Sequence, residues 1–125
     1  MLKKFLVLAG VPLLLAGCTT TFTNLTPQQQ VRNPNNVYPV EVALDTRQQS
    51  LRWESIHPQI VMGSESFPMR PIPMMTNRWE GLVSVPGDAT LVHYHYKFDF
   101  EYNSLGKPKP DSAISPEYAL QILQP

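Results

Sequence analysis

Twelve consecutive residues in the second half of this chain alternate without a break, and they constrain the fold more than any other feature. Val92, Tyr94, Tyr96, Phe98, Phe100 and Tyr102 fall on one side of an extended strand. His93, His95, Lys97, Asp99, Glu101 and Asn103 fall on the other. A slip of one residue would turn every aromatic ring into water, so one register is specified. Each ring buries on the order of 150–250 Å², which makes this strand the expected centre of a core.

The rest of the pattern is also extended. Val40, Val42 and Leu44 alternate with Glu41, Ala43 and Asp45, and Trp79, Gly81, Val83 and Val85 alternate with Glu80, Leu82 and Ser84. Leu51–Ile56 and Gln59–Met62 form a region interrupted at Pro58, where the lost ladder donor predicts a bulge or a change of sheet. Phe67–Met75, with Pro68, Pro71 and Pro73, reads as an edge or irregular strand whose exposed edge would accept a strand from a partner. Met62, Met69, Met74 and Met75 read as filler of an irregular core or edge. Pro86-Gly87-Asp88 is a turn, Ser104–Pro116 a proline-broken loop, and Tyr118, Leu120 and Ile122 a last strand. About six or seven short strands with turns between them predict an all-β, antiparallel immunoglobulin-like (early-set) sandwich over residues 37–125.

The N-terminus follows a different logic. Lys3 and Lys4 precede the apolar run Phe5–Ala16, and Leu15-Ala16-Gly17 lead into Cys18, the single cysteine. The apolar run is too short for a bilayer, which needs roughly 20 residues; basic start, apolar core and small residues are the parts of a cleaved export signal. The arrangement resembles the lipobox of bacterial lipoproteins. That resemblance implies recognition of Leu15, Ala16 and Gly17 by a signal peptidase, removal of residues 1–17, and lipidation of Cys18. Two or more acyl chains hold a protein stably on a membrane. Thr19, standing where an aspartate would favour the inner membrane, points to the outer membrane of a bacterial cell envelope. Thr19–Asn36, rich in Thr, Gln, Asn and Pro, reads as a flexible tether spanning about 25 Å, with docking of Phe22 and Leu25 onto the domain, which would order part of it, as the alternative. Asn24-Leu25-Thr26 matches a glycosylation sequon and is read as chance.

Removing the 17-residue leader from 125 leaves 108 residues, one small domain, with eight basic and ten acidic side chains. A net charge of −2 gives no electrostatic case for nucleic acid. A lipidated Cys18 cannot form an internal disulfide, so stability must come from packing.

Residues 61–111 also resemble the early-set modules of glycogen branching and debranching enzymes and the glycogen-binding domain of the AMP-activated kinase. The matching pieces are Arg78-Trp79-Glu80, Val85-Pro86-Gly87, Tyr96-Lys97-Phe98 and Pro110-Asp111. The resemblance implies a sandwich and gives Lys97 the place of a lysine that bonds a sugar hydroxyl. Ser104 lies near the place of one platform tryptophan, and Phe67 and Met69 in the region of the other, so Lys97 and Phe67 are the candidate glycan contacts. Trp79 matches a structural tryptophan.

Other chemistry is sparse. His93 and His95 share a strand face, with His57 as a possible third group, but a straight row does not converge on a metal as a zinc site requires. They read as part of a solvated polar face. Asp99 and Glu101 share that face, whereas a hydrolase pair needs opposed walls of a cleft, and no nucleophile elbow is present. The expectation is therefore a non-enzymatic, cofactor-free, lipid-anchored envelope module that binds a protein partner or has a structural role. The alternatives are a surface glycan-binding module and an accessory lipoprotein of an envelope secretion system, the latter by analogy of plan alone.

Overall fold

A computed structural model describes residues 20–47 and 50–125. The leader, the lipobox and Cys18 lie outside the described residues. The strands are β1 (Thr20–Asn24), β2 (Gln29–Val31), β3 (Val37–Thr46), β4 (Leu51–Met62), β5 (Glu65–Pro71), β6 (Arg78–Ser84), β7 (Leu91–Ser104), β8 (Lys107–Ile114) and β9 (Tyr118–Leu123). One layer runs β1-β3-β6-β5. The other runs from β4 to β7, which is flanked in turn by β9, carrying β2 beyond it, and by β8. With β2 and β9 set aside, the two layers have the strand order of a constant-type immunoglobulin domain. The expected all-β, immunoglobulin-like sandwich is what the chain forms. The parallel pair β2–β9 departs from an otherwise antiparallel arrangement.

The long alternating segment is β7, and its inward row is the core. Tyr94, Tyr96, Phe98 and Phe100 are buried, together with Tyr38, Val40, Val42, Leu44, Ile60, Trp79, Val83, Leu120 and Ile122. The rings meet edge to face: Phe98 lies 5.1 Å from Trp79 and 5.2 Å from Phe22, the geometry that quadrupoles favour.

Several expectations are corrected. Residues 20–31 were expected as tether, but they supply β1 and β2, so the folded region begins well before residue 37. Phe22 explains the difference: it packs against the core beside Tyr96 and Phe98. Pro58 does not break its strand. It is buried within β4 opposite Phe98, and the irregularity falls earlier, between Arg52 and His57. There Ser55 Oγ accepts the Glu101 amide at 2.8 Å and donates to Arg52 O at 2.6 Å, standing in for the displaced backbone. β5 agrees with the expected edge or irregular strand: its first half pairs on one side with β4 and its second half with β6, so it lies at the edge of each layer in turn and folds one layer over onto the other. Met69 is buried and Met62 packs on the core, but Met74 is fully exposed.

The expected loop 104–116 contains β8. The hairpin β7–β8 closes through Leu105 and Gly106, with φ of 54° and 79°, the two positive values that a type I′ turn requires. Pro108 and Pro110 pair with Asn103 and Glu101. The exchange between Ser115 and Tyr96, in which the Ser115 amide donates to Tyr96 O and Ser115 Oγ accepts the Tyr96 amide, fixes the phase of this ladder. Odd-numbered residues of β8 bond to β7, so both proline nitrogens face outward, the position an edge strand tolerates.

Gly81 sits inside the fold-over. A Cβ there would meet Pro68 O at 2.8 Å and Ile60 Cδ1 at 3.0 Å. Neither backbone nor packed Ile60 can withdraw freely. Gly81→Ala is expected to lower unfolding free energy by about 1–3 kcal/mol, read as a drop in urea midpoint at unchanged slope.

Candidate functional site

Two faces and one end of the sandwich carry the candidate chemistry. The outward row of β7 lies on the exposed side of the second layer. Register sets Lys97 beside Gln59 and Ile114, Asp99 beside His57 and Ser112, and His93 beside Ala119. Lys97 Nζ reaches Asp99 Oδ1 at 3.6 Å, and Arg52 bridges Glu54 and Glu101 at 3.2 and 3.5 Å. These pairs are solvent-exposed and contribute little stability. His95 stands opposite Val61. Among the described residues, no three His, Cys, Asp or Glu side chains converge as metal ligands.

Phe67 and Lys97 do not share a face. Phe67 pairs with Ile60, which pairs with Tyr96, so its ring turns toward the core. Lys97 pairs with Gln59 on the outer side. One sugar cannot contact both, which corrects the pairing of these two residues in a glycan site.

Behind β7 lies a polar plug that joins the N-terminal segment to the core. Tyr96 Oη donates to Asn24 Oδ1 at 2.6 Å, and Asn24 Nδ2 donates to Tyr94 Oη at 2.9 Å. Thr26 Oγ1 accepts the Glu41 amide at 2.9 Å and donates to Glu41 O at 3.1 Å. The Asn24 and Thr26 of the apparent sequon thus serve the interior. Burial pushes the Tyr96 phenol well above its ordinary range, and burial likewise raises Tyr118.

The strand edges differ in accessibility. On β8, the outward backbone positions are 108, 110, 112 and 114. Pro108 and Pro110 have no N–H, and the Ser112 amide bonds Asp111 Oδ1 at 2.8 Å. That edge resists strand addition. Among the described residues β1 pairs only with β3, and its sequence Thr-Thr-Phe-Thr-Asn has neither proline nor charge. Sequence reasoning missed this edge because it assigned the segment to a tether.

The third feature is the end of the sandwich where β1 starts. Thr20 pairs with Thr46 at the end of β3, and the Leu44 amide bonds Asn77 O in the β5–β6 loop. Leu51, at the start of β4, pairs with Tyr102 near the end of β7, and the Asn103 amide bonds Ser50 O. The β3–β4, β5–β6 and β7–β8 connections therefore gather at one pole with the start of β1. The turn at Pro86-Gly87-Asp88 lies at the opposite pole, between the end of β6 and the start of β7. Two loop tips at the first pole are apolar: Met74 is 100% exposed with φ 68°, and Leu105 is 99% exposed with φ 54°. A left-handed conformation costs a residue with a Cβ roughly 1–2 kcal/mol, and neither side chain recovers that by burial. The sequence signal was Leu-Gly where hairpins favour Asn-Gly.

The molecule is an immunoglobulin-like β-sandwich. No family model matches the chain, and no curated protein matches it. Among solved structures, a DUF4785 family protein from Legionella pneumophila is similar over 83% of this chain at 8% identity and a TM-score of 0.44. The chain spans 28% of that protein's length. Murine CRIg is similar over 84% of this chain and 98% of its own, at 11% identity and a TM-score of 0.41.

Two outcomes are expected. Leu105→Asn should raise stability by about 1 kcal/mol in chemical denaturation, because asparagine accepts the left-handed turn at lower cost. For Tyr96 the folded state holds its proton above the unfolded value of 10.0. Its contribution is fully present below that pH and is lost as pH rises beyond it. Stability should fall above about pH 10, and Tyr96→Phe should flatten that slope while lowering stability at neutral pH by about 1–3 kcal/mol.

Proposed function

We propose that this chain is a lipid-anchored protein of the bacterial cell envelope, attached through Cys18, whose sandwich acts as a non-enzymatic binding or structural module for a protein partner. The lipobox-like run Leu15-Ala16-Gly17-Cys18 carries the anchoring reading. The protein-partner reading is supported by the unguarded β1 edge, which offers main-chain donors and acceptors to an added strand, while β8 withholds its own. An accessory role in an envelope secretion system falls within this reading. The absence of aspartate after Cys18 favours the outer membrane.

The glycan alternative has less support. Lys97 is engaged by Asp99 on a flat face, and Phe67 turns inward.

In cells, the native chain should fractionate with membranes as a mature, acyl-labelled form. Cys18→Ala, or inhibition of the lipoprotein signal peptidase, should abolish that form and shift the protein to an unprocessed species. Unchanged processing and labelling in Cys18→Ala would sink the anchor. The partner reading is checked by crosslinking from a photoreactive residue at Thr23: adducts that weaken with Thr20→Pro, which leaves the Phe22 ring in the core, support an added strand, and adducts that persist unchanged count against it.

A further inference from the structure

The start of β1 and the position of Cys18 together determine how the domain can sit. Thr20 is already paired with Thr46. Cys18 precedes it by two residues, and two extended residues reach at most about 7 Å. A lipid-bearing Cys18 would leave no free tether to lift the sandwich away from the lipid. The pole at which β1 begins must then lie against the headgroups.

That same pole carries Met74 and Leu105, each fully exposed at a loop tip and each held in a left-handed conformation. Exposed Lys107 and Lys109 follow Leu105 directly, and lysines beside an apolar tip suit a surface of anionic headgroups. Trp53, 44% exposed and stacked on Trp79 at 6.2 Å, lies near the start of β4 at this end, and such amphipathic rings favour the membrane interface. The opposite pole offers the polar turn at Asp88, and its exposed apolar residues Leu91 and Val31 are half-exposed within paired strands, not fully exposed at loop tips.

We propose that this pole is a membrane-docking surface, with Leu105 and Met74 inserted among the lipid headgroups and acyl-chain ends of the bilayer that holds the anchor. This rests on the Cys18 reading and adds an orientation to it. The sandwich stands with the β7–β8 and β5–β6 tips in lipid and its β1 edge running away from the surface. Apolar side chains that would be unfavourable at a watery loop tip gain an apolar environment there, which offsets the cost of the left-handed tips.

The test uses the full lipidated chain, purified from membranes and reconstituted into vesicles of phosphatidylethanolamine and phosphatidylglycerol. Leu105→Cys, Met74→Cys and Asp88→Cys variants are each labelled with an environment-sensitive fluorophore. A lipidated Cys18 is blocked, so each variant should take one label. At 105 and 74 the emission should shift to the blue, quenching by doxyl-labelled lipid should be strong, and quenching by iodide should fall several-fold below that at 88. Vesicle-bound protein with one label per chain but equal iodide quenching at 105, 74 and 88 would overturn the docking and leave the anchor standing. Shielding from iodide without lipid quenching would overturn it in favour of a protein contact. A second label per chain would reveal a free Cys18 thiol and overturn the anchor together with the docking built on it.

Discussion

The structure depends on the pairing of β7. Its inward rings fill the core, and among the described residues its backbone is the only one that meets three neighbouring strands. Each departure of a neighbour from β7 leaves an amide to satisfy, and a serine hydroxyl does it. Ser55 accepts the Glu101 amide where β4 bulges, and Ser115 accepts the Tyr96 amide where the chain passes from β8 to β9. An unpaired buried amide costs about as much as a lost hydrogen bond, so these two short side chains keep β7 straight. The long aromatic row can then face one core along its whole length.

The N-terminal segment joins the fold through that same strand. Phe22 closes the open end of the sandwich over Tyr96 and Phe98, and Asn24 and Thr26 satisfy the phenols that would otherwise be buried without partners. Tyrosine brings large apolar area together with a hydroxyl that must be bonded. β1 supplies both the cover and the bond. The consequence for function is geometric, because a segment committed to the core cannot also serve as a tether.

Edges and tips divide the surface. Prolines guard β8, β5 divides its short edge between the two layers and carries Pro68 and Pro71, and β1 is left open. Two of the tips that gather where β1 begins, at Met74 and Leu105, are apolar and left-handed, while the β3–β4 connection there and the turn at Asp88 are polar. A sandwich with this asymmetry has two unlike ends, and an anchor attached beside one of them would convert that difference into an orientation.

The sequence by itself determined the β7 register, the alternation of β3 and β6, the sandwich class and the lipobox-like approach to Cys18. Each is a local, periodic or contiguous signal. Only the tertiary structure decided that Thr20–Val31 is part of the domain, because Phe22 and Asn24 show their value only against rings some seventy residues away. It also decided the place of the prolines. Pro58, Pro108 and Pro110 are legible as lost donors, but whether a donor is needed depends on which neighbour lies on that side. Phe67 and Lys97 were each legible as chemistry. That they point to opposite sides of a sheet follows from cross-strand register, which no single strand encodes.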